Sequence, residues 1–128
     1  MYYVFISHAW KYDAHYQTVL SWLQQSNLQI RNYSVPKSDP LNSRSLYQLQ
    51  QDITTQIRPA SCVIIISGMY AAYSGWIEYE INEAVRMGKY IIGIRPWGQE
   101  RVPTIIQQNA DVMVGWNSAS LINAIKNM

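Results

Sequence analysis

Glu78, Glu80 and Glu83 crowd into one short segment that also carries Trp76. Carboxylates do two kinds of work on nucleotides: they accept hydrogen bonds from ribose hydroxyls, and they stabilise the oxocarbenium charge that grows as a glycosidic bond opens. Which of the three suits that work depends on how far it is withdrawn from water. A helix separates them at about 100° per residue. With Ile77 at the centre of the buried face, Ile81, Ala84 and Val85 fall within roughly 80° of it. Glu80 then lies about 60° to one side, on the shoulder of the apolar stripe, while Glu78 and Glu83 fall further round toward solvent. Trp76 stands one turn before Glu80 on the same side and Met87 two turns after it. Geometry therefore leaves two readings open for Glu80: a partly desolvated carboxylate beside an indole, or a helix-surface glutamate in a favourable dipole.

Other side chains offer polar chemistry, each with a plainer alternative. Ser7 and Ser67 follow apolar runs and suit contacts to phosphate or ribose, or else cap backbone turns. His8 can donate or accept at the same place, or simply pack. Trp10, Trp76 and Trp97 can stack on a base or a nicotinamide ring, or close over the core. Cys62 begins an apolar run and reads as core packing. As the only cysteine it excludes an intramolecular disulfide, and with only His8 and His15 as imidazoles no metal-binding spacing exists. Neither a G-x-G-x-x-G fingerprint nor a P-loop is present. The first apolar run ends in Ser7-His8, where a phospho-receiver would place paired acids.

These residues need elements to position them. Tyr2 to Ile6 is aromatic and β-branched, as expected of a strand buried on both faces. From Tyr12 to Gln25 the positions Tyr16, Val19, Leu20 and Leu23 recur at helical spacing. Leu28 to Val35 can hold a second strand, and Ser34 to Arg44 reads as a polar loop. Ser45 can cap a helix whose stripe is Leu46, Leu49, Ile53 and Ile57. Ser61 to Ile66 is the clearest strand, followed by a loop to Ser74 and a helix from about Gly75 to Met87, closed by Gly88. Tyr90 to Ile94 makes a fourth strand. A short helix near Thr104 to Gln108, a strand at Val112 to Val114 and a helix with Leu121, Ile122 and Ile125 complete the pattern. Strands alternating with helices predict an α/β fold of three layers, with a five-stranded parallel sheet covered on both faces. The expected order is the flavodoxin-like 2-1-3-4-5, whose ligands sit at the carboxyl ends of strands one and three. The loops Ser7 to Tyr12 and Ser67 to Ser74 flank that crevice.

The 128 residues suit one domain spanning 1–128. A hydrophobic share of 48% against 14% charged residues predicts a packed interior. The net charge is +2, and the basic residues are scattered, which argues against a nucleic-acid surface. The longest apolar run falls far short of the roughly 20 residues that span a bilayer. The N-terminus lacks the regions of a signal peptide, so the expectation is a cytoplasmic protein without membrane contact.

The stretch Val4-Phe5-Ile6-Ser7-His8-Ala9-Trp10-Lys11-Tyr12-Asp13 resembles the opening strand and loop of TIR domains. It is joined by Ser61-Cys62-Val63-Ile64-Ile65-Ile66-Ser67, by Tyr73-Ser74-Gly75-Trp76 and then by Glu80-Ile81. This looks like the family pattern of a hydrophobic strand, a serine, and a tryptophan four residues before a glutamate. Lys89 to Ile94 fits the fourth strand, so the resemblance covers essentially the whole chain. Within the family it is most similar to the bacterial TIR-like proteins of the Thoeris antiphage system. Two departures support that placement: Ile77 stands where many TIR domains have cysteine, and the loop before the second helix lacks the usual glycine.

The resemblance implies an enzyme that cleaves NAD at the nicotinamide–ribose bond and hydrolyses or cyclises the product. NAD would be the substrate, with no separate cofactor. Glu80 would be the catalytic glutamate, Trp76, Ser7 and His8 would line the pocket, and Asp39 or its neighbours would close it in an assembled state. A cyclic ADP-ribose-type product would activate a separate effector, and TIR surfaces would self-associate. Two other classes remain in view: a non-catalytic TIR interaction module, and an enzyme similar to nucleoside deoxyribosyltransferases.

Overall fold

The two most apolar runs of the chain become its central strands. The computed structural model describes residues 1–9, 13–34, 36–37, 46–96 and 102–128. Along the chain run β1 (Tyr2–Ile6), β2 (His8–Ala9), α1 (Asp13–Gln25), β3 (Ile30–Asn32), β4 (Pro36–Lys37), α2 (Leu46–Ile57), β5 (Cys62–Ile66), a 3-10 helix (Ser67–Met69), α3 (Tyr70–Arg86), β6 (Tyr90–Ile94), α4 (Thr104–Asn109), β7 (Val112–Val114) and α5 (Ser118–Lys126). β1 lies parallel to β5 with Val4 opposite Cys62 and Ile6 opposite Ile64. β3 flanks β1 on the other side. β6 and β7 extend the sheet beyond β5, again in parallel.

The order β3-β1-β5-β6-β7 is 2-1-3-4-5 when the sheet's own strands are counted, as the alternating pattern predicts. Right-handed crossovers then fix the layers. The connection from β1 to β3 runs one way and those from β3 onward run the other, so α1 and α2 fall on opposite faces. Contacts agree: α1 packs with α5, while α2, α3 and α4 pack in a row. Every residue of β5 is buried, as expected for a strand covered on both sides.

The helices bury most of the stripe that their spacing gives. Tyr16, Val19 and Leu23 of α1, Leu49, Ile53 and Ile57 of α2, and Ile77, Ile81 and Ala84 of α3 are all buried. α3 stops at Gly88, which takes φ +69°. Gly88 N–H donates to Val85 O at 3.1 Å and Lys89 N–H to Ala84 O at 2.8 Å. Those two bonds satisfy carbonyls that the helix end would otherwise leave open, and a left-handed residue is what lets the chain turn back to make them.

Four sequence expectations are corrected. The second strand is shorter than Leu28 to Val35, ending its pairing at Asn32. The span Ser34 to Arg44 is not loop throughout, because Pro36–Lys37 pairs in parallel with His8–Ala9 as a separate two-stranded sheet. Strands of two residues carry no periodicity and leave no signal. The stretch from Ser67 to Ser74 is helical rather than a loop. Its Ser-Gly pairs read as breakers, yet a Cβ at Gly75 would meet nothing within 4 Å, so that residue rides on an open helix face. Finally, Val85 is 53% exposed. The buried arc of α3 runs from Glu80 through Ala84 and Ile77 to Ile81, about 100° wide, with its centre midway between Ala84 and Ile77. That small offset from Ile77 leaves Val85 outside the arc and Glu80 at its inner edge.

Gly93 in β6 shows how tightly the α4 side is packed. A Cβ there would lie 2.3 Å from Met113 Sδ and 3.2 Å from Ile106 Cγ2. Gly93→Ala is expected to cost about 1–3 kcal/mol through overpacking. Adding Met113→Ala to that background should recover part of the loss. Denaturant unfolding of the single and double variants checks this, and strict additivity would refute the clash.

Candidate functional site

Ser7 marks the place where the sheet parts. Its N–H donates to Ile64 O at 2.9 Å, one last ladder bond between β1 and β5. Beyond it the chain leaves β5 and pairs with β4 instead. The strands on either side of the switch point thus diverge at Ser7, where open parallel sheets take their ligands. α3 leaves the end of β5 and carries Glu80 back along this region.

Ser7 Oγ donates to Glu80 Oε1 at 3.1 Å. Both residues are 0% exposed. The carboxylate thus stands where the helical spacing places it, at the edge of the buried arc, but it is fully rather than partly withdrawn from water. Withdrawing a carboxylate this far from water costs free energy unless hydrogen bonds meet it, and Ser7 supplies one. The surface-glutamate reading of Glu80 does not hold.

The other predicted residues fall into three groups. Trp76 is half-buried one turn before Glu80, with its ring edge-on to Tyr79 at a centroid separation of 6.5 Å. Ser67 is buried, and its hydroxyl donates to Ile94 O at 3.2 Å, tying the ends of β5 and β6 one strand away from Ser7. Asp39, Trp10, Lys11 and Trp97 lie outside the described residues. For His8 the backbone is placed, opposite Pro36 in β2, and the side chain is outside the description.

Glu83 is not the solvent-facing residue that the helical wheel suggests. It accepts from Arg86 Nε at 3.1 Å and from Thr54 Oγ1 at 3.1 Å. The hydrogen bond from Arg86 holds its carboxyl below the usual range against the opposing effect of burial, with Thr54 adding to the lowering. Glu83 is thus an ionised, fully engaged partner of α2. Cys62 is withdrawn from chemistry as well, since burial first and the Asp111 charge second push its thiol up to about 12. Among the described residues no cluster of three His, Cys, Asp or Glu side chains is placed to hold a metal. No helix among them is long and apolar enough to cross a membrane.

Sequence reasoning missed the polar contacts between α2 and α3. Tyr79 Oη lies 2.6 Å from Thr54 Oγ1 and 3.2 Å from Gln50 O, so its one proton serves either acceptor while Thr54 donates to Glu83. Tyr79 and Glu83 stand one turn apart, which is a visible signal. Thr54, a single polar residue on a distant helix, has none.

The family model of the TIR-like domain of the Thoeris protein ThsB matches residues 5–101, which takes in both Ser7 and Glu80. Among solved structures, that of the Clostridium botulinum CMP N-glycosidase BcmB is similar with a TM-score of 0.63. It is 16% identical, and the match covers 98% of this chain and 99% of that one. At this identity the likeness bears on the fold. No curated protein sequence matches. With three quarters of its length under one model and the sheet order that the motifs predict, the chain belongs to the family of ThsB TIR-like domains of the Thoeris system.

Proposed function

We propose that this domain cleaves the nicotinamide–ribose bond of NAD and makes a cyclic ADP-ribose-type signal in bacterial antiphage defence. The observation that carries the reading is the buried Glu80 carboxylate, bonded to Ser7 where β1 and β5 part. A fixed negative charge in low-dielectric surroundings stabilises a ribosyl cation far better than the same charge in water. The C1′–N bond breaks with its electron pair going to nicotinamide, which leaves neutral because it is cationic in NAD. Water, or a nucleophile of the same molecule, then closes on C1′. Departure from NAD needs no proton, so a carboxylate that faces the cation is enough for this step. Asp39, His8 and Trp76 remain candidates to hold the rest of the substrate, and the product would act on a separate effector. NAD serves as substrate without a further cofactor, and a cytoplasmic setting with self-association through TIR surfaces completes the proposal.

A second substrate class follows from the fold shared with a CMP N-glycosidase. Cytosine, unlike nicotinamide, leaves a neutral nucleotide well only when protonated, so this reading requires an acid beside the carboxylate. Chromatography of the products from NAD and from CMP, with native protein under crowding and with infected-cell lysate, separates the cases. Release of nicotinamide is expected. Cytosine alone would move the substrate to a nucleoside monophosphate, and no free base from either would leave a TIR interaction module that only associates.

A further inference from the structure

Packing of Ile77, Ile81 and Ala84 on the sheet sets which face of α3 is buried, and Ser7 bonds Glu80 from the end of β1; the fine rotation of α3 about its own axis is then shared with its polar contacts to α2. Tyr79 and Glu83 flank Glu80 on one side of the helix, at about 100° and 60° from it, and both reach the hydroxyl of Thr54 on α2. Tyr79 Oη lies 2.6 Å from Thr54 Oγ1, and Thr54 Oγ1 donates to Glu83 Oε2 at 3.1 Å. Gln50 O receives Tyr79 Oη from the turn before, and Arg86 holds Glu83 from the turn after. One short side chain thus joins two successive turns of α3, at positions that bracket the buried carboxylate in the sequence.

We propose that Thr54 is a positioning residue, whose hydroxyl sets the rotation of α3 and so the placement of Glu80. This rests on the reading of Glu80 as the group that faces the ribosyl cation. At the ~5–6 Å radius of side-chain tips, a helix rotation of ~10° moves a carboxylate by about 1 Å. A displacement of about 1 Å is enough to cost on the order of 10²-fold in rate. Apolar packing of Ile77, Ile81 and Ala84 resists large rotations but supplies no directional bond against one this small. Hydrogen bonds to a rigid β-branched side chain do supply it.

The test compares Thr54→Val, which keeps the shape and loses the hydroxyl, with Thr54→Ser, which keeps the hydroxyl. Two readouts apply to the full chain: steady-state NAD cleavage, and the side-chain carboxyl resonance of Glu80 in carbon-13-labelled protein, assigned with Glu80→Gln. The valine variant is expected to lower kcat about 10-fold or more with KM within about twofold of native, and to shift or broaden the Glu80 resonance. The serine variant is expected to restore both. A kcat and a resonance both unchanged in the valine variant overturn the inference. Where the valine variant loses its fold, shown by collapse of the whole spectrum, Tyr79→Phe takes its place, because it removes one of the two contacts through which Thr54 holds α3; a kcat and a Glu80 resonance both at their native values in that variant overturn the inference. A native protein that cleaves no nucleotide while the valine variant still moves the resonance sinks the enzymatic reading and leaves the positioning role standing.

Discussion

Glu80→Gln is expected to abolish base release from NAD, with turnover lowered by at least about 10²–10³-fold, the loss that follows removal of one preorganised charge-stabilising group. The amide is nearly the same shape as the carboxylate, so Ile77, Ile81 and Ala84 keep their packing, and Ser7 keeps an oxygen to bond. What vanishes is the negative charge facing the ribosyl cation. Stability should move the other way or not at all. A buried carboxylate costs desolvation that a neutral amide avoids in part, and sites kept for function are often replaceable with a gain in stability. Thermal melting with parallel chromatography of nicotinamide therefore gives opposed trends: activity lost, unfolding temperature held or raised. Equal turnover by the two proteins would remove Glu80 from the mechanism. Lost turnover with a much lower melting temperature would mean that Glu80 serves the fold.

How far the sequence leads to this site depends on which physical signal each residue leaves. Strands buried on both faces announce themselves as runs such as Val63-Ile64-Ile65-Ile66, and the order of the sheet follows from alternation and handedness. The family pattern and the helical wheel both single out Glu80. What the wheel misplaces is the centre of the buried arc, because Ile77 and Val85 look alike on paper and only packing on the sheet decides between them. Once α3 lies with Ala84 inward, Glu80 is covered and Val85 is bare. The pairing of His8–Ala9 with Pro36–Lys37 is illegible for a different reason: it is tertiary, joining two loops through backbone bonds that any side chain would permit. The same holds for Thr54, whose role comes from the distance between two helices rather than from its neighbours in the chain. Ser7 is the intermediate case. Its type and place at the end of the first strand suggest contact with a ligand, while its geometry gives its hydroxyl to Glu80.

That difference makes Ser7→Ala informative about role as well as magnitude. The backbone bond from Ser7 N–H to Ile64 O is indifferent to the side chain, so β1 and β5 stay paired and the variant should fold. The lost bond runs from a neutral hydroxyl to a buried carboxylate, a type worth about 1.5–3 kcal/mol, or roughly 10–100-fold in rate if the whole of it is felt in the transition state. If the hydroxyl holds Glu80 in place, as the 3.1 Å contact argues, kcat falls by about that factor and KM changes little. If instead it binds the ribose directly in both ground and transition states, KM rises and kcat holds. Ser7→Cys, with a weaker and longer donor, should fall between native and alanine on whichever parameter moves. The expected result is the loss in kcat, read from initial rates over a range of NAD concentrations, and constants equal to native in the alanine variant would show that the bond has no part in turnover.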